Sequence, residues 1–152
     1  MKTIQLTTQI DASPETCFDL ARDIGFHTRS LEKSGEEAVD GIVEGLIGPG
    51  ETVTFRGRHF GLVHEHTSRI TRFERPRHFR DEMISGRLKM FSHDHFFESY
   101  NNGTRMRDVI EFESPYGFVG RIADALVLKN YLRRLIERRN RELKKEAERR
   151  AR

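Results

Sequence analysis

The chain has 152 residues, of which 36% are hydrophobic and 34% charged, enough for one domain with a sizeable core. No apolar run approaches the length of a membrane span, and the opening residues alternate instead of forming a signal segment, so a cytoplasmic single domain over 1–152 without stable membrane insertion is expected. One cysteine, Cys17, excludes an internal disulfide and a cysteine-built zinc site.

Residues 2–10 place Ile4, Leu6 and Ile10 on one side and threonines mostly on the other, the pattern of a half-buried strand. Asp11 and Ala12 end it. Ser13 is a good N-cap, Pro14 suits the first helical position and Glu15 puts an acid in the first turn, so a short helix runs to about Ala21, anchored by Phe18 and Leu20. Cys17 lies within it and reads as a buried structural thiol, not a nucleophile. A second short helical turn is expected over 24–31, and Ser34-Gly35 opens a strand or loop through Ala38, Val39, Ile42 and Val43. Gly45, Gly48 and Gly50 match neither a dinucleotide fingerprint nor a P-loop, and no suitable helix follows, so they mark an inter-strand loop.

Strand-like runs follow over 52–60, 62–73, 79–84, 88–97 and 104–112, a series that reads as a meander. Gly61, Arg75-Pro76, Ser85-Gly86, Asn101-Asn102-Gly103 and Ser114-Pro115 supply the turn and bulge signals.

From Phe118 onward Ile122, Leu126, Leu128, Leu132, Leu135, Ile136 and Leu143 recur at helical spacing, and no Gly or Pro follows Gly120. A helix over 118–148 would span roughly 45 Å, more than the domain needs. The stripe is broad only up to Ile136, so the front half is expected to pack on the sheet and a basic end, from about 137 to 152, to project. Residues 129–152 hold 11 Lys and Arg against 4 Glu, a balance of +7 that leaves −4 for residues 1–128 out of the total of +3. A solvated helix end accounts for it, its cations complementing the dipole at the C-terminus and Arg138/Glu142 and Glu137/Arg141 lying four apart. Aromatics do not interleave with these arginines, which disfavours a nucleic-acid partner.

Gly48-Pro49-Gly50-Glu51-Thr52-Val53, Arg58-His59-Phe60-Gly61, Phe79-Arg80-Asp81-Glu82-Met83, His93-Asp94-His95-Phe96-Phe97 and Pro115-Tyr116-Gly117 with Gly120-Arg121 resemble bacterial ligand-binding members of the START-related, polyketide cyclase/dehydrase-like superfamily. The resemblance covers nearly the whole chain. It implies an α+β helix-grip fold: a curved antiparallel sheet wrapped around one long C-terminal helix, two short helices after the first strand, and a cavity between sheet and helix. That superfamily includes lipid carriers, receptors and aromatase/cyclases on one scaffold, so function has to be argued from the site.

Because alternate residues of a strand share a face, Phe91, His93, His95 and Phe97 lie together. So do Val53, Phe55, Gly57 and His59; Phe79, Asp81 and Met83; and Met106, Asp108, Ile110 and Phe112. If these faces are the concave ones, His59, Asp81, His93, His95 and Asp108 point into apolar space and must be paired or solvated. The candidate ligand-binding set is therefore Phe55, His59, Phe79, Asp81, Met83, Phe91, His93, His95, Phe97, Met106, Asp108 and Ile110. Four readings stay open at this point. The leading one is a small hydrophobic or aromatic ligand, lipid-like or polyketide-like. The second is a cyclase or dehydratase using His/Asp acid-base chemistry. In the third the histidines only hydrogen-bond the aspartates and fix the sheet. The fourth is a metal held by the His-x-His pair with His59 and an aspartate, for which the spacing is not diagnostic, and no metal is assigned. No cofactor is implied. The basic helix end and a sheet edge leave a protein partner or a homodimer open.

Overall fold

The computed structural model describes residues 1–115 and 117–152. Strand β1 (Lys2–Ile10) leads into helices α1 (Pro14–Ala21) and α2 (Ile24–Ser30) and a single 3-10 turn at Glu32–Ser34. Six strands follow: β2 (Glu37–Gly41), β3 (Thr52–His59), β4 (Leu62–Glu74), β5 (His78–Ser85), β6 (Met90–Tyr100) and β7 (Gly103–Glu113). They form one antiparallel sheet in the order β1-β7-β6-β5-β4-β3-β2. From β2 onward each strand pairs with its neighbour in sequence, and β1 adds to β7, which is the meander the turn signals imply. Tyr116, part of one of the quoted motifs, lies outside the described residues.

Local chemistry sets the boundaries. The Ser13 hydroxyl accepts the Thr16 N–H at the start of α1, and the Asp23 carboxylate accepts the Phe26 N–H at 3.0 Å at the start of α2. Between β3 and β4, Phe60 and Gly61 take φ of 54° and 74°, and between β6 and β7, Asn101 and Asn102 take 49° and 61°. Paired left-handed residues of this kind make the tight turns whose twist matches that of antiparallel strands.

The C-terminal helix runs through α3 (Gly117–Ala123), a π-helical segment (Asp124–Leu128) and α4 (Lys129–Arg150). Its packing agrees with expectation from Leu128 to Ile136, which meet the sheet, and departs from it on either side. Phe118, Val119, Leu126 and Val127 are exposed at the front, whereas Ile136, Leu143 and Ala147 are buried further on. The basic end does not project: Lys144 Nζ donates to the Gln9 carbonyl at 2.6 Å, and Glu148 accepts the Asp11 N–H at 2.9 Å. Its cations are drawn into Lys144–Glu148, Arg149–Glu146 and Arg150–Glu146 ion pairs. A helix laid on a curved sheet touches it closely over only part of its length, and here Leu143 and the small Ala147 bring it down beside α1 and β1.

Two apolar clusters result. The larger gathers Ile10, Phe18, Leu20, Phe55, Phe79, Phe97 and Met106 under Leu143 and Ala147. The smaller joins Ile4, Ile110, Phe112 and Ile136, with half-buried Leu6, Leu88, Phe91, Leu128 and Leu132 against it.

Candidate functional site

Three elements pass through both clusters, and each carries polar residues where it crosses between them. On β7, Asp108 separates Met106 from Ile110; on β6, His93 and His95 separate Phe91 from Phe97; on α4, Arg139 and Asn140 separate Ile136 from Leu143. Register aligns these positions, since His95 lies opposite Asp108 and Asp81 opposite His93. The result is a polar belt on the concave face, walled on both sides by hydrocarbon.

Asp108, fully buried, is its centre. One oxygen accepts from His93 Nε2 and from Arg139 Nη2, both at 2.7 Å, and the other accepts from Asn140 Nδ2 at 2.8 Å. Burial favours the protonated acid, but Arg139 and His93 outweigh it and hold the carboxyl far below the usual carboxylate range. His95 donates through Nε2 to Asp81 Oδ2 at 2.7 Å and stacks between His93, 3.7 Å away, and Phe79, 4.1 Å away. Burial, followed by the neighbouring His93, pushes His95 down to about 4, so it is neutral at physiological pH. Its Nδ1 then faces Asp108 Oδ1 at 3.5 Å without a hydrogen bond. Asp81 feels burial in the opposite direction, but the bond from His95 leads the influences that bring it down to about 2.

The belt continues beyond these residues. His59 meets the Tyr131 hydroxyl through Nδ1, tying the β3–β4 turn to α4, and Phe60 packs on the same Tyr131 ring at 4.5 Å. Glu36, His27 and His66 lie close enough to influence one another's charge, with Phe55 between the two imidazoles at 4.6 and 5.5 Å.

Of the residues expected at the site, His93, His95, Asp81 and Asp108 form one connected network, which His59 extends toward the helix. Phe79, Phe97 and Met106 are buried around Phe18, and Ile110 is buried in the second cluster, so these four serve as packed walls. Phe55 is also buried, whereas Met83 and Phe91 are half-buried. Sequence reasoning missed Arg139, Asn140, His27, Glu36, His66 and Tyr131. The first two had a signal: residues 136, 139, 140, 143 and 147 make a continuous helical stripe once polar members are admitted to it.

Asp81, His93 and His95 each offer a donor atom within 4.8 Å of the others. The donor types suit zinc; both imidazole Nε2 atoms are engaged with carboxylates, which leaves the Nδ1 lone pairs as the atoms that could ligate an ion without displacing those bonds. Surface grooves occur elsewhere, between α2 and the end of α4 beside Phe26, Arg29 and Arg149, and along β1 beside Leu6, Thr8 and Asn140. Among the described residues, no helix is long and apolar enough to cross a membrane.

A family described as polyketide cyclase / dehydrase and lipid transport matches residues 1–148. No curated protein matches the sequence significantly. Among solved structures, the Zhui aromatase/cyclase from a Streptomyces species superposes with a TM-score of 0.79 at 14% identity, over 99% of this chain and 96% of that one. A Thermus thermophilus protein gives 0.73 at 17% identity, over 93% and 97%. Ginseng major latex-like protein 151 from Panax ginseng gives 0.71 at 10% identity, over 96% and 97%. At these identities the likeness is one of fold, the helix-grip arrangement.

Proposed function

The chain belongs to the polyketide cyclase / dehydrase and lipid transport family, and on that premise we propose that it binds a small hydrophobic or aromatic ligand between the concave sheet face and the front half of the C-terminal helix. The observation that carries this reading is the wet end of the belt. Asp81 keeps 22% of its side chain exposed and His59 keeps 20%, while His95 and Asp108 behind them are at 5% and 0%. Tyr131 meets His59, half-buried Phe91 and Leu132 pack against the second cluster, half-buried Met83 shares a strand face with Asp81, and the front of the helix carries exposed Phe118, Val119 and Leu126. Apolar walls with a few convergent polar groups are what a small-molecule site requires.

A cyclase or dehydratase is the second reading, favoured by the two imidazole–carboxylate contacts. Against it, an imidazole held to about 4 is a weak base at neutral pH, well below the value that serves proton transfer best. Titration with an environment-sensitive aromatic fluorophore tests binding. Saturable binding is expected, weakened by Leu132→Asn and unaffected by Arg149→Gln in the α2–α4 groove. No saturable binding, or the same affinity in Leu132→Asn, would refute the site.

A further inference from the structure

Glu36 lies between the 3-10 turn and β2 with 4% of its side chain exposed, and its Oε2 makes no hydrogen bond among the described residues. His59 Nε2 is 3.4 Å away, a long contact without hydrogen-bond geometry. The carboxylate rests on β3 at Gly57, where an added Cβ would come within 2.1 Å of Oε2. Glycine at that position therefore makes room for a carboxylate laid over the sheet. A buried acceptor left without a donor costs free energy until a donor arrives.

Against burial, His59, at ion-pair distance, helps to hold Glu36 ionised, but the charges around the belt as a whole are unbalanced. Glu36, Asp81 and Asp108 are three carboxylates in one belt, and its guanidinium, Arg139, is committed to Asp108 at 2.7 Å. His27 and His66 lie close to both Glu36 and Asp81, yet burial keeps both imidazoles from charging easily. The Phe55 ring, between these two imidazoles, adds an aromatic face.

We propose that the ligand carries a protonated primary amine on its hydrophobic body, and that Glu36 and Asp81 receive the ammonium. This rests on the binding reading above and specifies the ligand's polar end. An ammonium brings three donors and a positive charge, enough for Glu36 Oε2, Asp81 and one imidazole lone pair. A carboxylate or phosphate in the same position would meet two like charges, and an alcohol would offer one donor and no charge.

Calorimetric titration with three ligands of one shape tests this: 2-(1-naphthyl)ethylamine, 2-(1-naphthyl)ethanol and 1-naphthylacetate. The amine should bind at least about tenfold more tightly than the alcohol, and the acetate most weakly. Glu36→Gln, which keeps the shape and removes the charge, should bring amine and alcohol to within about twofold of each other, with the melting curve confirming the fold. Alcohol or acetate binding as tightly as the amine in the unaltered protein would overturn the amine assignment and leave the hydrophobic site standing. An amine preference undiminished in Glu36→Gln would overturn the role of Glu36. Failure of all three ligands to bind would overturn the site itself and the assignment with it.

Discussion

Asp108 is the residue on which the interior depends. A fully buried carboxylate is tolerable because three donors converge on it, and Arg139 is tolerable at 3% exposure because Asp108 receives it. Asp108→Asn should cost about 3–5 kcal/mol in denaturant titration, since it strands a buried guanidinium; a loss below about 1 kcal/mol would mean that water reaches Arg139. The histidines make a separate demand on pH. His95 and His27 fall to about 4 in the folded chain, against about 6.5 when unfolded. Between those values the unfolded chain binds more protons, so acid favours unfolding: stability is complete above about 6.5 and falls as pH drops toward 4. Asp81, depressed to about 2, and Asp108 add a further loss below the ordinary carboxylate value near 4. Melting temperatures from pH 7 to 4 should therefore fall, and His95→Gln should flatten the slope; equal slopes would remove His95 as a cause. Part of this chemistry was legible in the sequence, because strand parity puts His93 with His95 and puts Asp81 and Asp108 on the apolar faces of their own strands; the register that sets them side by side came from the structure. Arg139 and Asn140 were not, since a charged run on a helix ordinarily faces water. Glu36 was hidden for a different reason: it precedes a short edge strand where no periodicity says which way a side chain turns.

The elements differ in how far local pattern determines them. Ser13-Pro14 and Asp23 start their helices by capping, and Phe60-Gly61 and Asn101-Asn102 close their hairpins through left-handed turns, so these boundaries follow from nearest neighbours. The long helix does not. Counting apolar residues finds its hydrophobic front but not the far part that meets the sheet, which depends on sheet curvature and on the pull of Asp108 at the middle of α4. Leu143→Ala should cost about 2–5 kcal/mol, because that side chain is fully buried among α1 and the strands. Leu126→Ala, at an exposed position, should change stability by about 0.5 kcal/mol or less. Equal losses in parallel urea titrations would show that the front of the helix packs on the sheet in solution.

At the scale of the molecule, the chain is a seven-stranded curved sheet that grips one helix firmly at its far end and loosely at its front. Strand alternation and turn chemistry made the β2–β7 meander legible, because it needs only local pairings, whereas the return of β1 to β7 and the grip on the helix are non-local and were implied by the family resemblance. What remained hidden was the division of labour along the helix, with anchoring contacts at the back and exposed hydrocarbon at the front. The central claim is that a ligand enters there. The most direct measurement is an amide-resolved NMR titration of the chain with 2-(1-naphthyl)ethylamine. The account expects saturable shifts concentrated at Asp81, Met83, Phe91, Leu128 and Leu132, with Phe26 and Arg149 in the α2–α4 groove unmoved. Shifts confined to that groove, or no saturable shifts at all, would contradict it.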